Sequence, residues 1–98
     1  MSQFTRAIQM LQAGQTVVVR PRGGSMTPLI TSGQEVRLAP LLPGEALQAG
    51  DVVLCRVRGT DYLHLVKAVN GERVLIGNNH GHVNGWTSRV KVYGKVVG

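Results

Sequence analysis

Asp51-Val52-Val53-Leu54-Cys55-Arg56-Val57-Arg58-Gly59-Thr60-Asp61-Tyr62-Leu63-His64-Leu65-Val66-Lys67-Ala68-Val69 reads as two strands joined by a tight turn. Valine and leucine dominate both arms, and the Gly59-Thr60 pair between them supplies the reversal of a hairpin. The side-chain period of a strand is two, which assigns faces. Val53, Cys55 and Val57 are expected on one side of the first arm, with Val52, Leu54 and Arg56 on the other. On the second arm His64, Val66 and Ala68 share a face, and Lys67 falls with Leu63, Leu65 and Val69.

Outward from the hairpin the pattern stays β. Before it, Glu35–Ala39 alternates as a strand, and Pro40 to Gly44 form a loop. Thr16–Arg20 is a β-branched strand stopped by Pro21. The exception is residues 3–13, where Phe4, Ala7, Ile8 and Leu11 recur at helical spacing, with Ser2 as N-cap and Gly14 as stop. After the hairpin, Asn70-Gly71 marks a turn into the strand Arg73–Ile76. Residues 77–88 read as a polar loop, and Val90–Tyr93 with Lys95–Val97 as a last strand bent at Gly94. The expected fold is mostly β, a small twisted sheet assembly with one short N-terminal helix. One domain is expected over 1–98, with the helix in 1–14 and the β core in 15–98.

Composition narrows the function classes. Eleven Lys and Arg against five Asp and Glu give a formal charge of +6 and a pI near 10.5. That balance favours an acidic partner. The basic residues are dispersed, and Tyr62, Trp86 and Tyr93 are too scattered to form a stacking series for single-stranded nucleic acid, which ranks last. One cysteine, Cys55, leaves no intramolecular disulfide and fits a reducing compartment. No stretch approaches the ~18 apolar residues of a membrane span, and no leader pattern opens the chain. A cytoplasmic location without integral membrane association is the expectation.

Gly23-Gly24-Ser25-Met26-Thr27-Pro28 carries the chemistry. Two glycines give the backbone freedom for a close approach, and Pro28 keeps the segment out of a central strand. Ser25 is thereby presented on a turn between strands, as a nucleophile would be. Taken alone, this is also ordinary turn composition.

Gly24-Ser25-Met26-Thr27-Pro28 resembles a shortened form of the nucleophile box of LexA-like and signal-peptidase-like serine peptidases. Three later stretches resemble that superfamily in its order. They are Gly50-Asp51-Val52-Val53-Leu54, then His64-Leu65-Val66 with Gly71-Glu72-Arg73-Val74, then Gly77-Asn78-Asn79 followed by Ser88-Arg89 and Tyr93-Gly94. The resemblance covers about residues 17–97. It implies a fold of the LexA and signal-peptidase type, a catalytic core without DNA-binding domain or membrane anchor, and hydrolysis of a peptide bond. Ser25 would be the nucleophile, its proton taken by a histidine or lysine on a later strand.

Two bases compete, His64 and Lys67. In the family the base stands seven residues before the glycine of the next turn, and Gly71 minus seven is His64. Imidazole also needs little tuning to act near neutrality, whereas a lysine must be desolvated. His64 is favoured, with Lys67 as alternative. The turn of Gly24, Ser25 and Met26 would hold the oxyanion, with the Ser25 N–H as main donor. The family's aspartate after the closing glycine is replaced by Asn78, and no carboxylate follows in His80-Gly81-His82-Val83-Asn84. Asn79 and Asn84 are the side chains left to orient the imidazole. Val66 is expected to wall the cleft and favour small aliphatic substrate side chains.

His80 and His82, with His64 or Cys55, raise the question of a metal. Their spacing matches no finger or zincin pattern, so no metal and no cofactor is expected. The substrate would be a protein or peptide segment bound as an extended strand. Ala13-Gly14 resembles the self-cleavage bond of LexA-type relatives, but Gly14 ends the helix and the bond is expected to stay intact. The competing functions are an inactive peptidase-like domain that binds a peptide or protein, and a basic β-domain for nucleic acid.

Overall fold

The computed structural model describes residues 2–98. Helix α1 spans Gln3–Gln12, and the strands are β1 (Val17–Val19), β2 (Val36–Pro40), β3 (Val52–Val57), β4 (Thr60–Asn70), β5 (Arg73–Gly77), β6 (Val83–Ser88) and β7 (Val92–Val97). A 3-10 turn over Arg89–Lys91 precedes β7. All strand pairs are antiparallel, in one seven-stranded open sheet ordered β1-β2-β7-β3-β4-β5-β6. The fold is mostly β with one short helix, as the alternation implied.

Helix α1 begins where Ser2 Oγ accepts the Thr5 N–H at 3.3 Å, and it ends before Gly14, whose φ of 81° suits glycine. Ala7, Ile8 and Leu11 are its buried face. They pack with Leu38, Leu54, Leu63 and Leu65 on one side of the sheet. Leu11 comes so close to β7 that a Cβ on Gly94 would lie 2.9 Å from its methyls and 2.7 Å from the Ala39 carbonyl.

Val53, Cys55, Val57, Val66, Val74, Ile76 and Val92 form a second cluster on the opposite face. The sidedness read from the β3 sequence therefore holds, with Cys55 fully buried. This face is enclosed because the sheet curls. Thr87 Oγ1 on β6 donates to the Arg56 carbonyl on β3 at 2.7 Å, across two intervening strands.

Three registers slip by one residue; the slips on β4 and β6 correct the sequence reading, and the one on β7 falls at the bend expected beside Gly94. On β4 the pairing jumps from Val66↔Ile76 to Ala68↔Leu75, which leaves Lys67 as an extra, bulged residue. The alternation reverses beyond it, so Ala68 leaves the His64 face and Val69 joins it. On β7 the extra residue is Tyr93, beside Gly94, and the strand runs on through Val97. Residues 77–88 are not a loop throughout. Val83–Ser88 forms β6, paired with β5 and bulged at Asn84. Its asparagine, glycine and serine masked the strand, because an edge strand with one side on solvent needs little apolar sequence.

Candidate active site

Residues 21–35 leave β1, turn back on themselves and return to β2. The turn is closed by the Gly33 N–H on the Pro21 carbonyl at 2.7 Å and the Gly23 N–H on Ser32 Oγ at 3.1 Å. Gly23 has φ 102°, which a residue with Cβ would resist. Met26 and Ile30 are buried in the cluster of Leu63 and Leu65 and anchor the turn. Met26 thus has a packing role in the motif, and its neighbour Ser25 is held at the mouth of a cleft.

His64 faces Ser25 from β4. Ser25 Oγ lies 3.3 Å from His64 Nε2, and Asn84 Oδ1 lies 2.8 Å from His64 Nδ1. An amide oxygen only accepts, so Nδ1 carries the proton and Nε2 is free to accept from the serine. The ring stacks on Tyr62 at 5.0 Å between centroids, and His64 is only 8% exposed. Burial pushes the His64 pKa below its ordinary 6.5. The Asn84 bond opposes that shift, and electrostatic repulsion from His82 and Lys67 adds to it. A neutral, oriented imidazole beside a hydroxyl is the arrangement a general base requires.

Of the two asparagines considered for orienting the imidazole, Asn84 is the one that meets it. Its position in the β6 bulge is what turns it there. Asn79 does something else. Its N–H donates to the Ser25 carbonyl at 3.0 Å and its Nδ2 to the Thr27 carbonyl at 2.9 Å, so it holds the serine turn. Lys67 makes no hydrogen bond to Ser25 among the described residues. Its aliphatic stem lies over Gly77, where a Cβ would come within 2.9 Å of Cε. Val66 is 1% exposed within the second cluster and lines no cleft, which corrects the expected wall.

The cleft beside Ser25 has a volume of about 200 Å³. Phe4, Met26, Ile30 and Leu63 give it an apolar floor, with Arg22 and Asp61 among its charged lining residues. Phe4 comes from α1, so the helix is part of the site, which its amphipathic spacing alone did not reveal. The cleft also follows an unpaired strand edge. Strand β5 joins β4 only from Leu65 onward, so Thr60–His64 has a partner on the β3 side alone. Arg58 and Gly59 both have positive φ, 50° and 81°, which is the two-residue hairpin turn that makes Val57↔Thr60 a hydrogen-bonded pair. Alternation then directs the backbone groups of Asp61 and Leu63 away from β3, toward the open side.

Among the described residues no group of three or more His, Cys, Asp or Glu is placed to hold a metal. His80 Nε2 is engaged by the Gly24 carbonyl and Thr27 Oγ1, at 2.9 and 3.0 Å. Burial pushes the Cys55 thiol up to about 12, which removes it as a nucleophile near neutrality. No helix of the described chain is long and apolar enough to cross a membrane. Compared with protein-family models, with curated proteins and with solved structures, the chain finds no match.

Proposed function

We propose that the chain is a serine peptidase of the LexA-like and signal-peptidase-like kind, hydrolysing a peptide bond in a segment laid along the open edge of β4. The observation that carries the reading is the continuous line Ser25 Oγ, His64 Nε2, His64 Nδ1, Asn84 Oδ1, with separations of 3.3 and 2.8 Å at its two hydrogen-bonded steps. The four motifs in family order support it.

The substrate strand pairs with the backbone of Asp61 and Leu63, which sets its carbonyl beside Ser25. One apolar side chain fills the floor formed by Phe4, Met26, Ile30 and Leu63. His64 Nε2 takes the Ser25 proton as Oγ bonds to the carbonyl carbon, and the resulting oxyanion is met by the Ser25 N–H. The imidazolium returns its proton to the departing amine, leaving an ester on Ser25. Water, deprotonated by the same imidazole, then cleaves the ester and regenerates the serine.

Asn84 sets the tautomer but carries no charge to balance the imidazolium, and Lys67 and His82 oppose that charge. Slow turnover follows. The same neutrality favours the second reading, a domain that binds a peptide on the β4 edge without cutting it. Incubation with a mixed peptide library, followed by mass spectrometry, separates the two. Cleavage by the native chain that disappears in Ser25→Ala is the expected outcome. Cleavage equal in both proteins, or none in either, leaves the binding reading.

A further inference from the structure

Both peptide groups flanking Ser25 are held from one side by the 78–82 turn. Asn78 organises that turn. Its Oδ1 accepts the N–H of His80 at 2.8 Å and of His82 at 3.0 Å, and its own N–H reaches the His82 carbonyl at 2.9 Å. From this platform the Asn79 N–H donates to the Ser25 carbonyl at 3.0 Å. His80 Nε2 donates to the Gly24 carbonyl at 2.9 Å. The Gly24 oxygen also accepts the Thr27 hydroxyl at 2.9 Å and the Thr27 N–H at 3.2 Å.

In a trans peptide the C=O and the following N–H point in opposite directions. Fixing the Gly24 oxygen therefore fixes the Ser25 N–H, which is directed away from the 78–82 turn. Gly23 and Ser25 line the cleft and residues 78–82 do not, so the cleft and the 78–82 turn meet the serine segment from different sides. The Ser25 N–H donates to no protein acceptor among the described residues. The two Thr27 bonds to the Gly24 oxygen lie within the serine turn and move with it. His80 is the tie from that oxygen to another part of the fold.

We infer that His80 is a positioning residue, which locks the Gly24–Ser25 peptide plane so that the Ser25 N–H is preset as the oxyanion donor. This inference rests on the peptidase reading and adds a component that acts on the plane of the backbone, separate from the proton relay through His64. Its role needs a hydrogen on Nε2, which both the Nε2–H tautomer and the protonated ring supply.

The test is the rate at which a fluorophosphonate labels the intact chain, followed by mass across pH. In this reaction Ser25 Oγ bonds to phosphorus, the P–F bond breaks, fluoride departs and His64 takes the serine proton. The phosphoryl oxygen occupies the oxyanion position. His80→Ala should lower the plateau rate roughly ten-fold, less than the ~10²-fold lost with an oxyanion donor itself. The apparent pKa of labelling, set by His64 and Asn84, should not move. His80→Gln, which restores an N–H donor, should recover most of the rate, and His80→Phe, which keeps the ring without the donor, should not. The Phe variant stands in should the Ala variant fail to fold. A plateau in His80→Phe equal to the native one overturns the inference and leaves the peptidase reading intact. So does equal loss in His80→Gln and His80→Phe with a displaced pKa, because that marks general distortion. Absence of labelling in the native chain overturns the peptidase reading, and the inference falls with it.

Discussion

Asn84 stands where a charged partner for the base would stand, and its Oδ1 is 2.8 Å from His64 Nδ1. A carboxylate there would keep the same hydrogen bond and add an opposite charge, which favours the imidazolium. Asn84→Asp should therefore raise the pKa of His64 from its depressed position and move the acid limb of activity to higher pH. The plateau rate should rise on the order of ten-fold, because the protonated base is now stabilised during the reaction. Steady-state hydrolysis or probe labelling across pH measures both effects. Much at this scale was legible beforehand. Ser25 and His64 are candidates through the family resemblance, its serine box and the position of its base, and in the structure they lie 3.3 Å apart. The roles of Asn79 and Asn84 were not separable, because a one-residue bulge at Asn84 decides which side chain reaches the ring. Nothing in Val83-Asn84-Gly85 marks that bulge except the glycine, which has φ 133°.

Strand register is where the sequence misled. The regular alternation of Leu63 to Val69 is written for an unbroken strand, but Lys67 is extruded and every residue beyond it changes face. Bulges answer to a neighbouring strand, and that neighbour is not visible in local pattern. β6 was hidden for a related reason, being a polar edge strand whose evidence is its pairing with β5. The hairpin, the helix and the two-faced core needed only periodicity and were read directly. One glycine illustrates the difference. Gly94 looked like a bend, and its more demanding role is the close passage of Leu11 and the Ala39 carbonyl. Gly94→Ala should destabilise the fold by about 1–3 kcal/mol through overpacking, read as a lowered midpoint in chemical denaturation. Gly14→Ala has open space around its new methyl and only the cost of a positive φ, so its effect should be smaller.

Across the whole molecule, charge and shape have different consequences. Among the described residues three ion pairs, Arg20–Glu35, Arg56–Asp61 and Lys95–Glu45, use three of the five acidic residues. Most of the eleven basic side chains stay outside these pairs, and Arg22 lines the cleft. An acidic peptide should therefore be cut with a KM that rises as salt is increased toward ~0.5 M, with kcat nearly constant, because screening weakens encounter and not chemistry. A neutral peptide of the same apolar residue should show little salt dependence.

The most direct test of the Ser25–His64 pairing is the pH profile of fluorophosphonate labelling, measured on the intact native chain. A single adduct on Ser25, absent from Ser25→Ala, should form at a rate that rises with pH and levels off. Its apparent pKa should lie below the ordinary 6.5 of histidine, because burial favours the neutral ring. A rate that keeps climbing beyond pH ~9 and collapses in Lys67→Met would place the base on the lysine instead. No adduct at any pH would contradict the account outright.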